Sequence, residues 1–301
     1  MKNLLITGAL DLNEYEINEI KSLGYKVHFI KEERVEISID VSRFDIVVCN
    51  SLFQYNDISR FKNLKVIQLT SAGFDRVPLQ FIKDNDIKIY NAKNIYSVPI
   101  AEWVILKILE IYKKSKLFQQ QQEHKIWKKH KNLEEITEKK IAIFGYGDIG
   151  KAIHERLKCF HPTIKLIDLA KPENIDLCDF IEFKNFDNDI PKMDVIVLCS
   201  PLTSLTLNYF DYIRLAKMKL NSILINVSRG EIINEEDMIK ILYERNDISI
   251  FLDVFKDEPI KNDVLWGFKN VYITPHNAYS SSFNHKRLYS LIFNNLKAES
   301  I

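Results

Sequence analysis

Three of the chain's eight glycines fall within six residues, in GYGDIG at 145–150, directly after the apolar run IAIF and directly before the helical pattern IGKAIHERLKCF. In so glycine-poor a chain each glycine needs a local reason. Strand, glycine turn and helix in that order form the context a dinucleotide fingerprint requires. Gly145 is expected to make the tight turn, Gly147 to let backbone N–H groups approach a pyrophosphate, and Gly150 to let the helix pack closely on the strand. Asp148 and Ile149 complete the first helical turn, whose N-terminus offers donors and a partial positive charge to phosphate.

The next apolar run, TIKLID, ends at Asp168, 18 residues beyond Gly150. A carboxylate there can accept hydrogen bonds from the adenosine ribose hydroxyls and would repel a 2′-phosphate, so NAD is favoured over NADP.

Short apolar runs alternate with helical patterns along the whole chain. NLLIT, a helix near 13–23, YKVHFI, FDIVVC, KVIQL and IKIY form one series, ending near residue 92. KKIAIF, TIKLID, MDVIVLC, NSILINV, ISIFLDV and NVYIT form a second. Such alternation reads as α/β architecture with two doubly wound parallel sheets, and 301 residues at 46% hydrophobic content suit two domains. A stretch from Pro99 to about Phe118 reads as one long connecting helix, and QQQQEHKIWKKHKN after it as solvated surface without a role. The spacing of Phe283, Leu288, Leu291, Ile292 and Leu296 reads as a helix returning to the first domain.

Lys and Arg total 42 against 41 Asp and Glu, so no global field would concentrate nucleic acid or an anionic membrane, and the charge points to a small-molecule partner. Cys49, Cys159, Cys178 and Cys199 form no CxxC pair and read as buried reduced thiols, with no metal site. The N-terminus turns polar too soon for a signal peptide and no run of about 18 apolar residues occurs, so a cytoplasmic location is expected and the Asn226-Val227-Ser228 sequon reads as accidental.

A second constellation follows the fingerprint. LINVSRGEIINEEDMIKIL breaks at Ser228-Arg229-Gly230 between a buried strand and a helix, which puts Arg229 where open α/β sheets bind ligands. A guanidinium grips a carboxylate through two parallel bonds, anchoring a 2-oxo acid and polarising its carbonyl. FLDVFKDEP offers Asp253 just after a strand and Glu258 just before Pro259, and VYITPHNA places His276 at a strand end. A ketone reduced by hydride needs a proton, which a histidine held by a carboxylate supplies, so Glu258 and His276 are candidates for that pair.

GYGDIG, Asp168, SPLTSLT, INVSRGEIINEEDM, LDVFKDEP and ITPHNA occur in an order that resembles the D-isomer-specific 2-hydroxyacid dehydrogenases over nearly the whole chain. The resemblance implies that Arg229 binds the substrate carboxylate, His276 is the acid/base and Glu258 its partner. It implies cofactor contacts from Ser200, Val227, Ser228 and Asp253, the last holding the nicotinamide carboxamide, and substrate contacts from the backbone N–H groups of Ala72 and Gly73 in SAGFD. It further implies a discontinuous, flavodoxin-like substrate domain at 1–95 and 277–301 and a Rossmann-type NAD-binding domain at 96–276. The hinge helix lies near 98–118, with closure over substrate, no appended regulatory module, and a homodimer formed through the cofactor domains. Three positions depart from the family: His161-Pro162 and Asn221 replace usual glycines, and Cys199 stands where His is frequent.

The reading is thus a dehydrogenase or reductase of a small 2-oxo or 2-hydroxy acid, with glyoxylate, hydroxypyruvate, a branched 2-oxo acid and 3-phosphoglycerate all open. The alternative from another class is a dinucleotide-sensing corepressor on the same fold. An amino-acid dehydrogenase would carry Lys or Asp where this chain carries His276.

Overall fold

The computed structural model describes residues 1–300 except 174, 177, 178 and 262. The chain divides into two compact units: Met1–Tyr96 together with the chain from Ser281 onward, and Ser97–Ser280.

In the first unit, strands β1 (Asn3–Thr7), β2 (Lys26–Ile30), β3 (Ile46–Cys49), β4 (Val66–Leu69) and β5 (Lys88–Tyr90) make a parallel sheet in the order β2-β1-β3-β4-β5. That is the flavodoxin-like order, with its reversal between β1 and β3. The uninterrupted apolar strands follow from burial on both faces. Leu5, Val47 and Ile67 enter one core, while their neighbours Leu4, Ile6, Ile46, Val48 and Val66 enter the other. Helices α1 (Glu14–Ser22), α2 (Leu52–Tyr55) and α3 (Leu79–Asp84) belong to this unit. Asn13 caps α1 in a reciprocal bond pair with Glu16, a capping box in which each side chain meets the other residue's amide.

The second unit opens with α4 (Ser97–Tyr112) and α5 (Ser115–Glu123), where one helix to Phe118 was expected. The buried stripe Ala101, Val104, Ile108 and Tyr112 stops there, because Ser115 and Lys116 occupy the next core-facing turn. With nothing apolar to bury, the chain breaks, and Lys114 turns left-handed at φ +53°. Its strands β6 (Lys140–Phe144), β7 (Thr163–Asp168), β8 (Phe180–Glu182), β9 (Val195–Leu198), β10 (Ile223–Asn226), β11 (Ser249–Leu252) and β12 (Val271–Ile273) form a parallel sheet ordered β12-β11-β10-β9-β6-β7-β8. This is the Rossmann order with one strand added beyond it. Strand β8 was not anticipated, since its three residues are only half-buried and leave no apolar run. Helices α6 (Asp148–Leu157), α7 (Tyr212–Ala216) and α8 (Glu235–Glu244) complete the unit.

The last helix, α9 (Asn284–Glu299), belongs to the first unit and buries Leu288, Ile292 and Leu296 against Leu4, Ile6 and Ile20. Phe283, expected on that face, is instead 62% exposed just before the helix begins. Two family departures find their reason here: His161 at φ +54° and Asn221 at φ +60° are left-handed, a conformation glycine adopts without cost. The expectation of buried thiols fails at Cys159, which is exposed in the short turn after α6, away from any strand. Cys178 lies outside the described residues. Among the described residues no helix is long and apolar enough to cross a membrane.

Candidate active site

The register of the second sheet lines up the carboxyl ends of six strands. Phe144 pairs with Ile167 and Leu198, Leu198 with Asn226, Asn226 with Leu252, and Leu252 with Ile273. The residues singled out in the sequence therefore follow one another along a single edge: Asp168, Gly145, Ser200, Val227 to Arg229, Asp253 and His276. The strand order reverses between β6 and β9, where open α/β sheets take their ligands.

On the β6–β7 side, Gly145 has φ +102°, and a Cβ there would stand 2.6 Å from the Ser200 backbone. A Cβ on Gly150 would stand 2.2 Å from the Gly145 carbonyl oxygen, so α6 sits as close to the turn as only glycine permits. Gly147 is the N-cap of α6, followed by Asp148 and Ile149, and a Cβ on it would meet nothing within 4 Å. The Asp168 carboxylate fastens the turn, accepting from the amides of Tyr146 (2.8 Å) and Leu169 (2.7 Å). Cys199 donates its thiol to the Gly145 carbonyl at 3.0 Å, and burial, with the charge of Asp168, pushes that thiol well above its ordinary range. Ser200 is buried, and among the described residues its hydroxyl has no hydrogen-bond partner. A cavity of about 340 Å³ bordered by Leu169, Phe183, Leu205 and Tyr209 lies at this end of the sheet.

Beyond β9 the chemistry changes. Asn226, the one polar residue of its strand and fully buried, accepts from the Ser228 amide (3.1 Å) and hydroxyl (2.8 Å) and donates to the Arg229 carbonyl (2.8 Å). It shapes the turn that carries Val227, Ser228 and Arg229, so the sequon asparagine is a structural clamp. One guanidinium nitrogen of Arg229 donates to the Ser228 carbonyl at 2.7 Å. A Cβ on Gly230 would stand 2.1 Å from the Phe255 carbonyl carbon, so this glycine lets the Arg229 turn press on the loop that leads to Glu258.

Glu258 accepts from the Phe255 amide through Oε1 (3.1 Å) and contacts His276 Nδ1 through Oε2 (2.8 Å). Burial pushes its carboxyl upward, but the bonds from His276 and Phe255 and the charges of His276 and Arg229 outweigh that and hold it below its usual value. Its interaction with the ring is therefore intact above the ordinary carboxylate range and is lost only as pH falls through the depressed value. With Nδ1 engaged, Nε2 is the ring nitrogen that can hand a proton to a ligand. His276 itself is left-handed at φ +49°. Asp253, only 2% exposed, holds residues on both sides of His276: Thr274 Oγ1 (2.6 Å), the Asn277 amide (2.8 Å) and the Ala278 amide (3.0 Å) all donate to its carboxylate.

Ala72 and Gly73 lie in the first unit, after β4. Asn91 donates to the Ala72 carbonyl (2.6 Å) and Ser71 to the Gly73 carbonyl (3.1 Å).

The arrangement thus joins a glycine turn at a helix N-terminus to an Arg and a His just past the ends of β10 and β12 and a Glu in the loop after β11. The roles of Asn226, Gly230 and Thr274 are not given by the sequence, which marks Asn226 only as part of a sequon and Gly230 only as part of the break after β10. A lone polar residue in an apolar strand, a glycine in a glycine-poor chain and a threonine beside the histidine were the signals available.

Residues 105–278 match the family model for the D-isomer-specific 2-hydroxyacid dehydrogenase NAD-binding domain. A glyoxylate reductase of Thermofilum pendens is 30% identical over 243 residues, spanning 78% of this chain and 72% of its own. Two solved structures share the fold. An NADPH-dependent glyoxylate/hydroxypyruvate reductase of Sinorhizobium meliloti, in complex with NADP and malonate, has a TM-score of 0.82 at 21% identity, covering 99% of this chain and 93% of its own. A D-lactate dehydrogenase of Aquifex aeolicus, complexed with NAD and lactic acid, also has a TM-score of 0.82 at 21% identity, covering 99% and 95%.

Proposed function

The chain belongs to the D-isomer-specific 2-hydroxyacid dehydrogenases, oxidoreductases that move hydride between a nicotinamide dinucleotide and a 2-oxo or 2-hydroxy acid, and we propose that it reduces small 2-oxo acids with NADH. Glyoxylate and hydroxypyruvate are the first substrates to try, since relatives named above carry those names. The observation that carries the reading is the 2.8 Å contact of His276 Nδ1 with Glu258, set at the same sheet edge as Arg229 and the glycine turn.

The edge fits a dinucleotide on two grounds. Among the described residues the buried Ser200 hydroxyl lacks a protein partner, and the face of Gly147 is open. Gly145, Gly147, Asp148, Ile149 and Gly150 would receive the phosphates, Asp168 the ribose hydroxyls, and the cavity beside Leu169 the adenine. Ser200, Val227, Ser228 and Asp253 would line the rest. When bound, the nicotinamide supplies the hydride. Arg229 grips the substrate carboxylate through its planar fork and draws electron density from the adjacent carbonyl. His276 delivers a proton from Nε2 to the carbonyl oxygen as it becomes a hydroxyl. Glu258 stays ionised, orients the ring through Nδ1 and stabilises its protonated form. Ala72 and Gly73 lie in the first unit, which we take as the substrate domain, and their amides keep the substrate-binding role that the resemblance implies.

The choice of NADH over NADPH rests on Asp168, because the fold is compatible with either. Its negative charge beside the ribose opposes a 2′-phosphate. We expect kcat/KM for NADH to exceed that for NADPH by about tenfold or more, the effect of one unfavourable charge contact worth roughly 1.4 kcal/mol. Asp168→Asn, which keeps one acceptor for the Tyr146 amide, should shrink the ratio. Equal wild-type values for the two cofactors would remove Asp168 from this role.

Two copies are proposed to associate through the cofactor unit. The family resemblance supports this, and Trp127, 95% exposed beside the 53% exposed Ile126, is the place to probe it in a stretch that the sequence alone marks only as solvated surface. Sedimentation should give twice the 35.4 kDa chain mass, and Trp127→Ser should weaken the pair. A wild-type protein that sediments as one chain contradicts it.

A further inference from the structure

We infer that Asp253 is a positioning residue for His276, holding the turn that aims the imidazole at Glu258. The inference rests on the proton-donor role proposed for His276, and adds to it a separate claim about what fixes that donor in place.

Asp253 is 2% exposed at the carboxyl end of β11. A carboxylate so deeply buried is costly unless it is hydrogen-bonded. Its bonds come from one short segment of chain. Thr274 Oγ1 donates at 2.6 Å and the Asn277 amide at 2.8 Å to Oδ1, and the Ala278 amide donates at 3.0 Å to Oδ2. These donors stand two residues before His276, one after it and two after it, so the anion brackets the histidine from both sides.

The bracket matters because His276 is not in a relaxed conformation. Its φ of +49° lies in the left-handed region that non-glycine residues enter at a cost. The His276 amide closes the turn on the Thr274 carbonyl at 3.0 Å, and the Thr274 amide ties the turn's start to the Leu252 carbonyl, also at 3.0 Å. Past His276, the Asn277 and Ala278 amides both end on Asp253. Without that acceptor the second half of the turn is released, the histidine can return to negative φ, and its ring swings away from Oε2 of Glu258. The two carboxylates thus divide their roles, Asp253 setting the backbone of His276 and Glu258 its ring.

Thr274 makes the claim testable without touching Asp253. Thr274→Val removes one donor to the carboxylate at nearly constant shape, and Thr274→Ser keeps the hydroxyl. Full-length wild type, both Thr274 variants and Asp253→Asn are to be compared in kcat, in NADH affinity by fluorescence, in pH profile, and in the ring-nitrogen NMR signals of His276, assigned with His276→Ala. Thr274→Val should lower kcat about tenfold, the scale of one hydrogen bond to a buried charge. NADH affinity should stay within about twofold on the same reasoning, since the change leaves the glycine turn alone. The alkaline limb should move to lower pH, the Nδ1 signal should lose its hydrogen-bonded character, and Thr274→Ser should restore all three properties. Asp253→Asn should deepen the fall in kcat, the shift of the limb and the change at Nδ1. Because the residue also lines the proposed cofactor site, it should add a loss of NADH affinity that Thr274→Val does not show.

Wild-type kcat, pH limb and Nδ1 signal in Thr274→Val would overturn the inference. So would an Asp253→Asn variant that loses NADH affinity while keeping kcat, which would make Asp253 a cofactor contact alone. A wild-type enzyme inactive on every 2-oxo acid would instead defeat the proposed reaction, and the NMR signal would still decide whether Asp253 holds the ring.

Discussion

Replacing His276 by Ala is expected to lower kcat/KM for 2-oxo acid reduction by about a hundred- to ten-thousandfold, the usual range for loss of a positioned general acid. The proton from Nε2 neutralises the oxygen that receives electron density when hydride arrives, so the loss should fall mainly on kcat. NADH affinity should hardly change, because Gly147 and Asp168 sit at the ends of other strands. Glu258→Gln gives a finer test of the same pair. Gln still offers His276 Nδ1 an acceptor at the 2.8 Å position but removes the charge that favours the protonated ring. Reduction requires the protonated ring, so kcat/KM falls on the alkaline side, and in Glu258→Gln that limb should shift to lower pH. On the acid side the wild-type pair should persist below the ordinary carboxylate range, since Glu258 is held under it. Wild-type turnover in His276→Ala, or an unmoved limb in Glu258→Gln, would remove the pair from proton transfer.

Arg229→Lys should cost about a hundredfold in kcat/KM despite conserving charge. A charge-assisted bond contributes roughly 1.5–3 kcal/mol, and losing one prong of a two-pronged grip at the upper end of that range corresponds to about two decades. Lysine offers a point charge where the carboxylate needs a flat fork. Both KM for the 2-oxo acid and kcat should worsen, the first through lost anchoring and the second through lost polarisation of the carbonyl. The surrounding turn should survive, because Asn226 grips the backbone of residues 228 and 229 rather than the guanidinium. Near wild-type kinetics in Arg229→Lys would mean that Arg229 does not meet the carboxylate.

Most of this fold is legible in the sequence because parallel strands buried on both faces must be continuously apolar. IAIF, VIVL and ILIN therefore announce themselves, and the residues that end such runs announce the sheet edge. Arg229, Asp253 and His276 are visible for that reason alone. Glu258 is visible only as a carboxylate in the adjoining loop, and its meeting with His276 is a tertiary fact.

What remained hidden depends on contacts between segments far apart in sequence. Nothing local says that Thr274, Asn277 and Ala278 all donate to Asp253. Nothing local says that Gly230 is a glycine because the Phe255 carbonyl carbon lies within 2.1 Å of its missing Cβ. The helix break at Lys114 was written in the sequence, as the loss of an apolar residue one turn beyond Tyr112. Periodicity carried past that gap joined two helices into one. Strand β8 shows the opposite limit: three half-buried residues carry too little pattern to be seen before their neighbour β7 is in place.

The most direct test of the account is the consumption of NADH by the wild-type protein across a panel of small 2-oxo acids, with the product identified and NADPH run in parallel. The account predicts one NADH oxidised for each 2-hydroxy acid formed from glyoxylate or hydroxypyruvate, with D-glycerate as the product from the latter. Failure to oxidise either dinucleotide with any 2-oxo acid, or formation of the L-isomer, would contradict it.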